Sequence, residues 1–404
     1  MASLSLAQTF SELDQLLSSN QDFWRFEPFQ ASRSSFELPP SWQVLNPFLD
    51  SLQPHDIAEL KEDQQKLLAV IADKISDLSK LWDYCHLNEF ATEASSKSDH
   101  HNVGIPGRKW QQINAMGKVA LQVHQPDQSW LEWCSGKGYL GQWLARESNL
   151  PVVSFEWQEQ LCEAGQAMAD KQQLPMQFVQ GDALSESCIS VFKPNQHAVA
   201  LHACGDLHAH LIEHVCQQEL PAVTLSPCCY HLIQTDKYQP LSQLGQQAQL
   251  QLSKSDLRIP LQETVTGGER VTRHREQEMS FRLGLDLLLQ QEFAQQTYIP
   301  VPSIKKSQLS LGFAAFCEWA KQQKQWQFDF SGVDFDFWLR QGQKRFWQME
   351  KLSLMQQVFR RPLEMWLVCD KALRLEEAGY KVQLGTFCQR DITPRNIIIQ
   401  AVYK

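Results

Sequence analysis

The sequence predicts an α/β protein built on a mainly parallel sheet with helices on both faces. Two observations carry this. From Ser129 onward, short apolar runs alternate with helical patterns, the pattern of parallel strands joined by crossover helices. The chain then closes on a helix and two strand-like runs, KVQLGTFC and NIIIQAVY, separated only by the turn CQRDITPRN. Two strands joined without a crossover pair antiparallel, so the sheet should end in a hairpin.

The elements follow in order. Residues 1–100 read as a mainly helical N-terminal domain. Leu60, Leu67, Leu68, Ile71, Ile75, Leu78 and Trp82 recur at three- and four-residue spacing and make one apolar helical face. FEPFQASRSSFELPPSW, before that face, reads as irregular, and polar residues 92–102 as a linker or loop. Residues 101–235 hold the first part of the sheet domain: WLEWC, PVVSFEW, MQFVQGDA, HAVALHAC and AVTLSPC as strands, with helical patterns between most of them. Asp206 is placed to cap the helix carrying Leu207, Leu211, Ile212 and Val215. Residues 236–361 are Gln-rich and break the alternation, with helical patterns at Phe281–Phe293 and Gly312–Gln323; they read as a helical insertion capping the crevice. Residues 362–404 return to the sheet domain with a helix over Leu363–Ala378, Gly379 as its stop signal, and the hairpin.

Composition excludes several classes. Of the 404 residues, 43% are hydrophobic and 21% charged, enough apolar surface for a sizeable core. No apolar run approaches the roughly 18 residues of a membrane helix, so no membrane partner is expected. Eleven cysteines without a single C-x-x-C spacing suit a reducing compartment, and the expected location is cytoplasmic. Residues 1–100 carry 16 acidic and 7 basic side chains, the whole of the net charge of −9; the rest of the chain is neutral. An acidic N-terminal domain could dock a protein partner, and its charge says nothing against a basic site elsewhere.

The segment Leu131-Glu-Trp-Cys-Ser-Gly-Lys-Gly-Tyr-Leu-Gly141 follows an apolar strand and opens a helix. Gly136, Gly138 and Gly141 fit G-x-G-x-x-G, and Glu156 ends the next strand, where a carboxylate can bind both ribose hydroxyls of a nucleotide. This pattern alone fits NAD or S-adenosylmethionine (SAM). Three features favour SAM. Glu132 would repel a pyrophosphate but suits a sulfonium and an ammonium. Asp182, after the third strand, can accept from an adenine amino group; read otherwise, it is an N-cap. The terminal hairpin replaces the further parallel strands of a nicotinamide domain.

Glu132–Gly141, Leu201-His-Ala-Cys-Gly-Asp-Leu207, Ser226-Pro-Cys-Cys-Tyr-His231 and Thr393-Pro-Arg-Asn396 together resemble class I SAM-dependent methyltransferases. More narrowly, they resemble the subgroup holding methyltransferase-like protein 25 and the methyltransferase half of glutathione S-transferase C-terminal domain-containing protein. Gly107-Arg-Lys-Trp-Gln-Gln112 is similar to a basic lead-in to the first strand. The resemblance implies a Rossmann-like seven-stranded sheet with an antiparallel last strand, and SAM held by Glu132, Cys134, Gly136, Gly138, Glu156, Asp182 and His202. Cys134 departs from the pattern, standing where such enzymes usually have a first glycine.

Cys134, His202, Cys204, Cys228, Cys229 and His231 all fall at or just beyond strand ends, where the ligand crevice of a parallel sheet lies. His202, Cys204, Cys228, Cys229 and His231 are the candidate catalytic residues. In one reading His202 or His231 assists methylation of an oxygen or nitrogen while the cysteines line the pocket. In another, Cys228 or Cys229 bonds a pyrimidine ring first. A metal is not expected: no pair has the usual ligand spacing, and C-C-x-H is poor geometry for one ion. Residues 337–361 carry six basic side chains, one acidic, and the aromatics Trp338, Phe346, Trp347 and Phe359. Such interleaving suits a nucleic-acid surface, although an amphipathic core helix gives the same pattern. The expected function is a SAM-dependent methyltransferase acting on RNA (tRNA or rRNA); the alternatives are a protein methyltransferase or a non-catalytic adaptor for a protein partner.

Overall fold

Strands β1 (Ser129–Trp133), β2 (Val152–Glu156), β3 (Met176–Gln180), β4 (Gln196–Ala200) and β5 (Ala222–Leu225) form a parallel sheet in the computed structural model, which describes residues 4–33, 37–75, 78–90, 105–262 and 269–404. The polar segment 92–102 lies outside the described residues. Strands β6 (Tyr380–Thr386) and β7 (Ile397–Tyr403) complete a seven-stranded sheet in the order β3-β2-β1-β4-β5-β7-β6. β7 runs antiparallel to both β5 and β6, as the hairpin reading requires. The order reverses between β1 and β4, so a crevice opens at their carboxyl ends.

Helices on both faces explain why β1, β4 and β5 read as continuous apolar runs. Helices Gly107–Leu121 and Tyr139–Ser148 cover β1 through Trp110, Met116, Trp143 and Leu144, all buried with Trp130 and Val199. Register places Glu132 beside Ser154 on β2 and Val199 on β4. Asp206 does not cap the helix Asp206–Gln217. Gly205 takes the cap position at φ 58°, and Asp206 accepts the Gln234 N–H at 2.7 Å.

The chain divides into two compact units. The sheet unit comprises the described parts of Met1–Ser19, Lys80–Gln262 and Arg360–Lys404; the other comprises those of Asn20–Ser79 and Glu263–Phe359. This division departs from the expected boundaries at both ends of the insertion and in the N-terminal region. Residues 236–262 are fastened to the sheet unit by the buried Asp370. Its carboxylate accepts from Tyr238 Oη at 2.6 Å, from the N–H groups of Leu241 and Ser242, and from Ser242 Oγ at 2.7 Å. Leu6–Ser19 joins the same unit through Asp14, which accepts from Trp366 Nε1 and from the N–H groups of Gln249 and Leu250.

In the second unit, helices Glu269–Glu292 and Phe313–Lys324 pack around Phe281, Leu288 and Phe316. One helix, Phe335–Glu377, supplies its first part to this unit and its last part to the sheet unit, with Pro362 inside it. The basic aromatic stretch 337–361 lies within this helix, with one side in the core and Phe337, Arg340 and Lys344 exposed. Trp338, Phe346 and Phe359 are buried and Trp347 is half-buried. Arg345 is buried and shares Asp286 with Arg33, while Glu350 pairs with Arg275 at 2.8 Å and with Lys61. Three of the four aromatics expected to stack on bases are therefore buried, while Phe337 at the start of the stretch is exposed. No helix among the described residues is long and apolar enough to cross a membrane.

Replacing Asp370 by Ala strips four hydrogen bonds and removes the larger of the two carboxylate charges that offset the burial of Lys371. Urea unfolding should report a loss of about 3–5 kcal/mol. Unchanged stability would mean that this carboxylate does not fasten residues 236–262.

Candidate active site

β1 runs into a loop with three residues in left-handed conformation: Cys134 (φ 56°), Gly136 (φ 59°) and Gly138 (φ 68°). Cys134 thus adopts the backbone that a glycine would favour there, at a cost of roughly 1–2 kcal/mol. At Gly136 an added Cβ would meet nothing within 4 Å, so bare backbone faces open space. Gly141, one turn into the next helix, serves a different purpose. A Cβ there would lie 2.5 Å from Glu132 Oε2. Its absence lets the helix start close on that carboxylate, which accepts from the backbone N–H groups of Leu140 and Gly141 and from Ser154 Oγ at 2.7 Å. Burial pushes the Glu132 carboxyl up to about 7, against the pull of those hydrogen bonds.

Glu156, at the end of β2, accepts the Gly136 N–H at 2.9 Å and the Gln158 N–H at 3.0 Å. The strand-end carboxylate and the glycine loop are therefore one assembly. Trp157 follows it with 66% of its surface exposed, the largest apolar group open to solvent at the crevice. Sequence reasoning passed over it; the available signal was an aromatic directly after a strand-end carboxylate. Asp182 is exposed, and its Oδ1 accepts the Leu184 N–H at 2.9 Å, so part of its capacity goes to its own turn. Ser135 Oγ, in the glycine loop, is buried with no hydrogen-bond partner.

The loops after β4 and β5 are strapped together. Cys204 and Cys228 form a parallel bridge, and Gly205 donates to the Cys228 carbonyl at 3.1 Å. The sulfurs of Cys204, Cys228 and Cys229 all lie within 4.8 Å of one another. Thiol hydrogen bonds from Cys204 and Cys228 hold the Cys229 thiol well down, helped by the charges of Arg395 and His231. The buried Cys228 thiol is pushed up by the same coupling. His202 opens to solvent at the crevice mouth, yet desolvation by its walls lowers its imidazole, with Lys109 and Arg395 adding. Desolvation also lowers His231, followed by the charge of Arg258 and then those of Arg395 and Lys254. Cys134 is pushed up to about 12 by burial.

Cations from distant parts of the chain thus act on the two imidazoles, Lys109 and Arg395 on His202 and Lys254, Arg258 and Arg395 on His231. Arg395 belongs to the Thr393–Asn396 motif that carries the resemblance. Lys254 and Arg258 were missed, because residues 236–262 read as insertion.

Residues 108–236 match a family described as "Methyltransferase domain". The chain is similar to the glutathione S-transferase C-terminal domain-containing proteins of Xenopus laevis, 30% identical over 130 residues, and Mus musculus, 32% identical over 134. Those matches cover 31% and 32% of this chain and about a fifth of each relative. Among solved structures, it is similar to the magnesium protoporphyrin IX methyltransferase of Synechocystis PCC 6803, with a TM-score of 0.31 and 9% identity over 85% of this chain and 100% of that one. It is also similar to the tRNA (uracil-54, C5)-methyltransferase of Pyrococcus abyssi, with a TM-score of 0.25 and 19% identity over 30% of this chain and 29% of that one. Residues 108–236 thus match a methyltransferase domain family, and the sheet order and the glycine loop suit SAM as the cofactor.

The Glu132 shift gives a stability prediction. Its folded value, about 7, lies above the ordinary 4.5, so between those values the folded state holds a proton that the unfolded chain has lost. Its contribution to stability therefore falls as pH rises from about 4.5 to 7. Denaturation across that range should show wild type losing stability relative to Glu132→Gln. Parallel pH profiles for the two proteins would contradict the shift.

Proposed function

We propose that this protein is a SAM-dependent methyltransferase acting on RNA, in a reducing compartment such as the cytoplasm. The observation supporting the substrate class is that Arg395 acts on His202, Cys229 and His231, joined by Lys109 at His202 and by Lys254 and Arg258 at His231. A polyanion is the ligand such a set of cations suits best.

The residues present fit the cofactor: open space over Gly136, an orphaned Ser135 hydroxyl, the Glu156 carboxylate and the exposed Trp157 face. In this reading Gly136 and Gly138 let the methionine part approach, Glu132 holds the loop, Glu156 takes the ribose hydroxyls, and Asp182 and Trp157 flank the adenine. Bound there, SAM supplies an electrophilic methyl on its sulfonium. His202 or His231, neutral near pH 7 because its proton affinity is lowered, takes the proton from an oxygen or nitrogen acceptor. In this reading the cysteines line the pocket rather than attack: the Cys228 thiol is pushed up, and the lowered Cys229 thiol is engaged by those of Cys204 and Cys228.

Glu156→Ala removes charge-assisted hydrogen bonds worth about 1.5–3 kcal/mol each. Calorimetry should show SAM binding weakened at least tenfold, and unchanged affinity would place the ribose elsewhere. For the substrate, RNA binding should weaken steeply with salt. Lys109→Ala with Arg395→Ala should flatten the log–log salt slope by about 2 if each meets one phosphate. Absence of RNA binding at low salt, with label from tritiated SAM entering protein, would remove the RNA reading.

A further inference from the structure

Adjacent residues of an extended chain point their side chains to opposite faces, so Cys228 and Cys229 should not share a target. Cys229 is left-handed, at φ 49°. A non-glycine residue rarely accepts that conformation without a surrounding structure that imposes it. Its effect here is to swing the second sulfur to the side of the first. The bridge between Cys204 and Cys228 then brings in a third sulfur from another loop, with Cys204 Sγ and Cys228 Sγ 3.5 Å apart. Three sulfurs thus stand within 4.8 Å of one another.

That spacing selects among ligands. A disulfide needs about 2.05 Å and uses two sulfurs. Three thiolates around one tetrahedral ion, each about 2.3 Å from it, stand roughly 3.8 Å apart. The observed triangle brackets that figure. A second observation points the same way. Arg395 Nε and His231 Nδ1 are buried with no hydrogen-bond partner, on the two segments that adjoin the cluster. Three thiolates on a divalent ion carry one net negative charge, which Arg395 would balance.

We propose that Cys204, Cys228 and Cys229 form a three-thiolate site for a soft divalent cation of the zinc class, with its fourth position turned to the crevice. Soft sulfur ligands in tetrahedral disposition favour zinc over magnesium or calcium. An open fourth position distinguishes such a site from a closed structural one. The inference does not depend on the methyl acceptor proposed above.

The test uses the full chain, purified under reducing conditions from zinc-supplemented medium. Elemental analysis should find one zinc per chain. Cobalt(II) exchanged into the protein should give the intense thiolate-to-cobalt absorption of a tetrahedral site. Cys204→Ser, Cys228→Ser and Cys229→Ser should each lower cobalt occupancy at least tenfold, and Cys216→Ser, outside the cluster, should not. Because a variant could misfold, the wild-type chain supplies a second measurement. Bound metal should protect Cys204, Cys228 and Cys229 from alkylation in peptide mapping, and a chelator should expose them. Substoichiometric zinc with no thiolate-to-cobalt band in fully reduced protein would overturn the proposal. So would a Cys204–Cys228 disulfide in metal-supplemented, anaerobically handled protein, or protection of other cysteines instead. SAM calorimetry on the same samples reads the methyltransferase assignment separately.

Discussion

The crevice depends on one buried carboxylate. Glu132 is almost wholly removed from water, where an unsatisfied charge would cost several kcal/mol. It is tolerated because Ser154 and the first turn of Tyr139–Ser148 donate to it. Those bonds join β1, β2 and the helix start at one point. They also require the helix to approach closely, which Gly141 permits. Between the fixed strand end and the fixed helix start the loop has few conformations left, and Cys134 takes the left-handed one despite its side chain. Glu156 then locks the middle of the loop through the Gly136 N–H. The shape of the crevice follows from satisfying Glu132.

Much of the fold was legible because parallel strands buried on both faces leave apolar runs that no other element imitates at that length. The hairpin was legible from what was missing between its strands. The insertion boundary was not. What ties residues 236–262 to the sheet unit is Asp370, more than a hundred residues away, and no local pattern announces such a bond. The basic stretch 337–361 misled for a related reason. Charge read along a chain is taken as solvated, whereas here Arg345 is buried against Asp286 beside the buried Trp338, Phe346 and Phe359, and only part of the stretch, with Arg340 and Lys344, faces solvent.

The candidate site shows the same division. The glycine loop and Glu156 were legible because their chemistry is contiguous or at fixed spacing. The sulfur triangle was not legible because its third member, Cys204, comes from another loop and because Cys229 is left-handed, which spacing along the chain does not show. The cations were illegible as a group. Lys109, Lys254, Arg258 and Arg395 come from a helix, a loop, a short helical turn and a hairpin turn, and none forms a run.

Their placement has a consequence for the proposed chemistry. Crevice walls of low polarity strengthen a local field, so four cations attract a polyanion more than their number suggests. The same field acts on the two imidazoles and disfavours their protonated forms. Substrate attraction and the readiness of the base are therefore not separate devices. In the proposed RNA reading, an arriving phosphate backbone would screen the cations and raise the proton affinity of His202 and His231 when a base is needed. A histidine that is neutral in the free enzyme becomes a stronger acceptor once the polyanion is seated, and the coupling weakens in parallel with binding as salt is raised.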